Sequence, residues 1–131
     1  MPKVIFTSKK GLYAEAGSGV DLQQEVQLKK PLLLASSEDL ANAGAASLTK
    51  SMSYFTTGGS ETSTLAAGTE GLVKFFSCIS HGGNMETTVT NAGWKTTGTG
   101  TITFTAVGSA CMLIYVNSKW RIVGKHAITV A

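Results

Sequence analysis

Charged residues are scarce in this chain, so long surface helices are not expected. Asp, Glu, Lys and Arg make up 15% of the 131 residues, whereas they account for about a quarter of an average globular protein. Glycine is frequent, with 15 residues, and threonine and serine are abundant. This composition is typical of strands joined by tight turns. A chain of this length fits one domain that can bury a core without disulfides or metals.

Concentrated positive charge is also missing. The 11 Lys and Arg residues exceed the 8 Asp and Glu residues by only 3, and the only basic doublets are Lys9-Lys10 and Lys29-Lys30. A nucleic-acid groove needs basic residues clustered on one face, preferably with aromatic residues between them. We therefore predict no direct contact with nucleic acid.

Cysteine is nearly absent. Cys78 and Cys111 lie far apart in the sequence, and neither belongs to a C-x-x-C pair. This spacing matches neither a zinc site nor the dense disulfide framework of a small secreted domain. Because each cysteine lies within an apolar run, we predict two buried free thiols, and a bridge between neighbouring strands is the alternative.

Long apolar segments are absent too. Near the N-terminus only Val4–Phe6 are consecutive apolar residues, which is too short for the core of a signal peptide. No segment approaches the length of about 20 residues that spans a membrane. We therefore expect no membrane partner, and a soluble protein that is made and kept in a reducing cytoplasm.

Sequences that resemble catalytic motifs occur without the companion residues that their chemistry requires. The sequence HGGN at 81–84 resembles the oxyanion loop of esterases, but no G-x-S-x-G motif accompanies it, and a hairpin turn is the simpler interpretation. His81 and His126 have no carboxylate or cysteine at chelating spacing. The adjacent acids Glu38 and Asp39 fit the start of a helix better than an acid/base pair. We predict that the protein is not an enzyme and has no catalytic, cofactor or metal site.

The patterns that are present favour strands. Apolar and polar residues alternate in short runs about ten residues apart, with turn residues between them, and this predicts an all-β fold, either an antiparallel β-sandwich or a small β-barrel. The one helical candidate is a short turn at 36–44, with a serine cap and a terminal glycine. No solenoid or propeller repeat is visible. We place an extended N-terminal arm with short strands at residues 1–30 and the body at 31–131.

Two runs predict the orientation of particular strands. From Ala45 onward, Leu48, Met52 and Tyr54 are expected to form an apolar face that Lys50 interrupts. The run 72–80 is apolar on both faces, so it should lie between two layers or beneath a partner subunit. One predicted face of this run holds Val73, Phe75 and Ile79, and the other holds Leu72, Phe76 and Cys78.

Partner-binding residues are predicted mainly in the arm. Its apolar pieces are too small to form a core of their own, so they must pack on the body or on a neighbouring molecule. In the body, Trp94 in a glycine-rich loop is a candidate contact, or else caps the open end of the sheet core, whereas Trp120 within a strand is expected in the core. The predicted partner-binding residues are Val4, Ile5, Phe6, Leu12, Tyr13, Phe76 and Trp94.

The order of short motifs over roughly residues 47–131 resembles a recurrent domain of structural proteins from tailed bacteriophages of the marine and cyanophage type. The motifs are a Leu-x-x-Gly-x-Glu-Gly loop, an Asn/Gly turn, a Gly-Thr-Ile-Thr-Phe strand, a Val-Gly-Ser turn and a hairpin that ends Trp-x-Ile-Val-Gly. In this sequence they lie at 65–71, 81–84, 100–104, 107–109 and 120–124.

The resemblance implies a capsid decoration, or cement, protein. Such a protein is a β-rich and often trimeric virion component, so the implied partners are the major capsid protein and further copies in a homotrimer. It would assemble in the host bacterial cytoplasm and lie on the outer capsid surface, with the arm lying along capsid subunits or a neighbouring protomer. The resemblance implies no catalytic residue. A tail-fibre or baseplate module that binds a host surface glycan through loop aromatics such as Trp94 is the alternative.

Overall fold

A computed structural model describes strands Val4–Thr7 and Gly11–Ala14 and residues 31–34 and 36–131. The chain divides into two compact units, Met1–Leu33 and Leu34–Ala131. In the first unit, β1 and β2 pair as an antiparallel hairpin whose register places Ile5 opposite Tyr13 and Phe6 opposite Leu12. The second unit, called the body below, contains the other ten strands.

The predicted all-β sandwich is confirmed for the body, which forms two open five-stranded sheets and not a closed barrel. Sheet I has the order β11-β10-β7-β5-β3, and sheet II has the order β12-β9-β8-β6-β4. The strands are β1 Val4–Thr7, β2 Gly11–Ala14, β3 Ser37–Asp39, β4 Gly44–Ala45, β5 Met52–Thr57, β6 Glu61–Leu65, β7 Val73–His81, β8 Met85–Thr90, β9 Thr99–Phe104, β10 Ala110–Val116, β11 Lys119–His126 and β12 Ile128–Val130.

The sheets are mixed, whereas the sequence analysis expected antiparallel ones. In sheet I, β3, β5 and β7 are parallel neighbours, and in sheet II, β4, β6 and β8 are parallel neighbours. The chain places one strand in sheet I, crosses to sheet II and returns, so each returning strand runs in the same direction as its predecessor. The later strands β9 to β12 add to both sheets by antiparallel pairing.

The helical turn predicted at 36–44 is wrong. Ser37–Asp39 form strand β3, which pairs in parallel with Met52–Tyr54 of β5, and Gly44–Ala45 form β4. Ser36 has a φ of 65°, which differs from the extended conformation of a helix cap. Backbone pairing with an existing sheet outweighs the weak local signals of a cap and an acidic first turn. In the part of the chain that the structure describes, no helix is long and apolar enough to cross a membrane.

The core lies between the two sheets. Phe104 of sheet II meets Phe55 of sheet I edge to face at 4.9 Å between ring centroids, and it meets Phe76 at 5.9 Å. Trp120 is fully buried, as predicted, and its indole nitrogen donates a hydrogen bond of 2.9 Å to the carbonyl oxygen of Ala66. These contacts fix sheet I against sheet II.

Met52 and Tyr54 lie on one face of β5, as the alternation after Ala45 predicts, but this face points away from the core. Tyr54 points outward and is 37% exposed, whereas Phe55 between the outward positions is fully buried. The inner face of β5 also takes Ser53 and Thr57, because hydrogen bonds to other groups compensate the burial of their hydroxyls. Burial of the more hydrophobic Phe55 therefore determines which face of β5 points inward, and two small polar residues are buried with it.

Candidate protein interface on the outer face of sheet I

Sheet I has an apolar outer face, which its residue alternation creates. Inward positions of β7 and β10 carry core residues such as Phe76 and Leu113, and the outward positions between them are also apolar. A sheet with one solvated face normally places polar residues there. The outer face of sheet I, called the apolar face below, consists of Met52, Tyr54, Val73, Phe75, Met112 and Ile114.

The strand register brings these side chains side by side. Phe75 on the central strand β7 lies beside Met52 on one neighbouring strand and beside Met112 on the other. In the next row, Val73 lies beside Ile114. Adjacent side chains on one sheet face contact each other directly, so the six residues form a continuous patch.

Gly124 leaves a depression at one side of the apolar face. It lies beside Met112 in the register and has no side chain, so the sheet surface dips between the apolar face and the end of β11. The depression has a volume of about 440 Å³ and is open to solvent. Its lining is mostly apolar and consists of Phe75, Phe76, Ser77, Ala110, Cys111, Met112, Gly124, Lys125 and His126.

Opposite charges lie on the two lateral edges of sheet I. Asp39 is exposed on the edge strand β3, and Arg121, Lys125 and His126 are exposed on the edge strand β11. Four strand spacings separate these edges, which corresponds to about 19 Å. The register places Arg121 opposite Ile114 and His126 opposite Ala110 on the outer face, whereas Lys125 lies opposite the inward-facing Cys111. The ammonium group of Lys50 lies at the β3 margin, 3.3 Å from the carbonyl oxygen of Ser37.

The outer face of sheet II has a different chemistry. Its rows follow the register, with Thr64, Thr88 and Thr101 in one row and Thr62, Glu86, Thr103 and Thr129 in the next. In the part of the chain that the structure describes, none of these threonine hydroxyls makes a hydrogen bond. This surface, called the hydroxyl face below, consists of Thr62, Thr64, Thr88, Thr101, Thr103 and Thr129.

A buried ion pair lies beneath the apolar face, and the sequence analysis did not identify it. Lys74 is 1% exposed, and its ammonium group contacts Glu38 Oε1 at 3.0 Å and the carbonyl oxygens of Ser47 and Lys50 at 2.8 Å each. Glu38 also accepts hydrogen bonds from the Ser53 hydroxyl and from the Ser47 amide. The signal available in the sequence was a lysine at an inward position of an otherwise apolar strand.

The two charges of this pair have displaced pKa values. Burial lowers the pKa of Lys74, and the hydrogen bond and charge of Glu38 offset this effect only in part. Burial alone would raise the pKa of Glu38, but hydrogen bonds from Ser53, Lys74 and Ser47 and the charge of Lys74 outweigh it and lower the pKa. Glu38 is thus held as a carboxylate, and the pair ties β3 to β7 across sheet I.

The two predicted partner-binding residues in the body, Phe76 and Trp94, both contact the core. Phe76 is 1% exposed, so its side chain belongs to the core and Phe75 beside it faces outward instead. Trp94 is half-buried against the core, with its indole nitrogen donating a hydrogen bond of 3.0 Å to the carbonyl oxygen of Ala131. This position corresponds to the alternative interpretation, in which Trp94 caps the end of the sheet core.

The five arm residues predicted to bind a partner fall on the hairpin. Val4, Ile5 and Phe6 lie in β1, and Leu12 and Tyr13 lie in β2. The register of the backbone brings the two groups opposite each other. Their side chains lie outside the described residues, and so does most of the predicted arm.

Cys78 and Cys111 are free and buried, as predicted. They lie on the neighbouring strands β7 and β10, where Cys111 pairs with Phe76 in the register. Burial raises the pKa of Cys78 and raises that of Cys111 to about 12. A thiol with a raised pKa holds little thiolate, so neither cysteine has the properties of a nucleophile.

The histidines make only local contacts. His81 Nε2 lies 3.3 Å from Asn84 Oδ1 within the HGGN turn. The prediction of a hairpin at this turn is wrong, because the turn carries the chain from β7 in sheet I to β8 in sheet II and these strands do not pair. Among residues 31–34 and 36–131, no three His, Cys, Asp or Glu side chains come together as metal ligands. The apolar face, in contrast, differs in composition from the solvated face of a typical sheet, where polar residues predominate.

No protein-family model matches the chain, and no curated protein matches it. The chemistry of the two sheet faces is accordingly the basis for a functional proposal.

Proposed function

We propose that this protein is a structural virion component, a capsid decoration protein that binds the outer surface of an assembled phage head and stabilises it by non-covalent contacts. The observation that carries the proposal is the apolar face, a continuous patch of large apolar side chains on the outside of a rigid sandwich. A patch of this kind marks a protein-protein contact more often than a site for a small polar substrate. The motif order described above supports the same conclusion.

The hairpin of the first unit supplies a second contact in this proposal. An isolated two-stranded hairpin is only marginally stable in water, so β1 and β2 gain stability from packing on another surface. Extended segments bind by adding strands or apolar side chains to a neighbour. We assign the arm to attachment on the major capsid protein and the apolar face of the body to contact between copies of this chain.

Mass action explains how such a protein would stabilise a shell. A protein that binds the assembled shell and not its separated subunits adds its binding free energy to the stability of the shell. Attachment at many equivalent sites multiplies a modest affinity for each site. No chemical reaction is needed, and the proposed protein is not an enzyme.

The attachment test uses phage heads without tails, incubated with the full chain or with a variant that lacks residues 2–30, and then sedimented. The full chain should sediment with the heads and raise the temperature at which they release DNA. The deletion variant should keep the thermal unfolding transition of the body and should remain in the supernatant. Attachment of the variant with unchanged affinity would exclude the arm as the anchor, and failure of the full chain to attach would contradict the proposed function.

The hydroxyl face supports a second candidate, a tail-fibre or baseplate module that binds a host surface glycan. Its threonine hydroxyls and Glu86 form rows of polar groups that suit hydrogen bonding to a saccharide. Binding of the labelled protein to host cells, lost in the variant Thr88→Ala/Thr101→Ala, would favour this candidate. Attachment to tail-free heads without binding to cells would favour the decoration protein.

A further inference from the structure

We propose that the depression beside Gly124 is a binding site for a small organic anion with an aromatic body. The inference goes beyond the proposed function and concerns the free protein, so it can fail or succeed independently of attachment to a phage head. The volume of the depression, about 440 Å³, lies within the range of about 300–1,000 Å³ that is usual for sites of small molecules.

The strand register shows how the depression is built. It lies over the neighbouring strands β7, β10 and β11, and each strand contributes three consecutive residues, 75–77, 110–112 and 124–126. The middle residue of each triplet belongs to an inner row, so its backbone forms the floor. The outward side chains form two rows, one of Phe75, Met112 and Gly124 and the other of Ser77, Ala110 and His126.

Gly124 keeps the depression open, and no local requirement explains the choice of glycine. Its φ lies outside the left-handed region that favours glycine, so the β-bulge beside it does not demand this residue. A Cβ atom at this position would meet no atom within 4 Å. Glycine inside a strand weakens the strand and often marks a place where a ligand approaches the backbone. The bare backbone of Gly124 is therefore the surface on which the ligand lies.

The side chains around this glycine favour an aromatic body. Phe75 and Met112 lie side by side in the row that ends at Gly124. Aromatic rings pack favourably against phenyl and thioether groups. Ser77 and Ala110 are the smallest outward residues of β7 and β10, so a ring beside Phe75 and Met112 can approach the strands closely.

The polar groups beside the depression favour an anionic substituent. On the outer face of β11, Gly124 lies between Arg121 and His126. Arg121 donates one hydrogen bond to the carbonyl oxygen of Gly93, and its other N–H groups can donate to a carboxylate or sulfonate. Lys125 is exposed on the same strand and adds positive charge. None of the residues that line the depression is acidic, so the local charge complements an anion.

Titration of the full chain with anilinonaphthalene sulfonate measures the binding. This anionic aromatic dye becomes more fluorescent in an apolar site, and phenylnaphthylamine, which has the same rings without the sulfonate, is the matched neutral probe. The dye should bind one site per chain, and NMR spectra should show the largest amide shifts at 75–77, 110–112 and 124–126. The neutral probe should bind more weakly by about threefold or more, because it lacks the charged contact.

Variants that fill the depression test its position. Gly124→Leu and Ala110→Leu should each weaken the binding of both probes at least about tenfold. Gly124→Leu should leave the melting temperature of the body unchanged or raise it, because its Cβ has free space. Val123→Leu enlarges the exposed side chain next to Gly124, serves as the matched control and should leave the affinity unchanged.

A change of charge tests the class of ligand. Arg121→Gln should weaken binding of the dye by about threefold and leave binding of the neutral probe unchanged. Lys95→Gln removes an exposed cation from the loop between β8 and β9 and should affect neither probe.

Four results would overturn the proposal. They are a folded chain that does not bind the dye, amide shifts centred outside the three triplets, full affinity of both filling variants, and equal affinity for the two probes. A lowered melting temperature of Gly124→Leu would show that the fold itself requires this glycine, and it would remove the main argument for a ligand.

Discussion

The ammonium nitrogen of Lys74 lies 3.0 Å from Glu38 Oε1, and this pair joins the edge strand β3 to the central strand β7 across sheet I. The strand between them, β5, contributes Ser53 to the same carboxylate. The pair therefore holds together the three parallel strands that support half of the apolar face. Its integrity affects both the stability of the body and the shape of the proposed interface.

Removal of one charge of this pair should destabilise the body strongly. Glu38→Leu leaves the Lys74 ammonium buried without its counter-ion, so the free energy of unfolding should fall by about 3–5 kcal/mol. Lys74→Met/Glu38→Leu replaces both charges with apolar groups and should recover most of that loss. Urea denaturation followed by tryptophan fluorescence measures both variants, and a double variant as unstable as Glu38→Leu would contradict this account of the pair.

The same pair predicts that the free energy of unfolding of the body depends on pH. The pKa of Glu38 is lowered from an ordinary value of 4.5, so the folded state binds its proton less readily than the unfolded state does. Its contribution is complete above pH 4.5 and is lost as the pH falls through the lowered pKa. The difference in unfolding free energy between wild type and Glu38→Gln should shrink as the pH falls below 4.5, and a difference that stays constant would exclude this role.

The sequence predicted the strands well because alternation is a local property, but it could not predict their arrangement. The prediction that Phe75 and Phe76 lie on opposite faces of the run 72–80 is confirmed. Large apolar residues occupy both faces of this strand. The alternation predicted for β5 is confirmed as well, but the sequence does not show which of its faces is buried, because that depends on partners for Ser53 and Thr57 that lie far away in sequence. Parallel pairing is likewise set by crossings between sheets and leaves no local signal.

The candidate site was only partly predictable for the same reason. The sequence predicts Phe76 as a contact residue, whereas the strand register turns Phe75 outward in its place. The burial of Lys74 is not predictable, because a single lysine in a strand usually points to solvent and the carboxylate that compensates its burial lies 36 positions earlier in the sequence. A buried charge becomes recognisable only when the fold brings its partner close.

Gly83 is required for the close approach of two turns. A Cβ atom at this position would lie 2.6 Å from the carbonyl oxygen of Gly59, so Gly83→Ala should lower the free energy of unfolding by about 1–3 kcal/mol through overpacking. Gly59→Ala is the matched control, because a Cβ at Gly59 meets no atom within 4 Å. Thermal denaturation should separate the two variants, and equal melting temperatures would show that the turns are not in close contact.

The two cysteines should be inert in the folded protein. Burial raises the pKa of Cys111 to about 12 and also raises that of Cys78, so neither thiol supplies thiolate at neutral pH. Labelling with a thiol-specific chromogenic reagent should be slow in native buffer and should reach two groups per chain in denaturant. Rapid labelling of either thiol in native buffer would contradict the burial described here.

Electron microscopy of purified particles tests the central claim, that this protein is a surface component of a virion, most directly. Particles in which mass spectrometry detects the chain should display regular knobs over the whole capsid surface, and the knobs should be missing from particles that carry the deletion of residues 2–30. Density confined to the tail, or particles from which the protein is absent altogether, would contradict the claim.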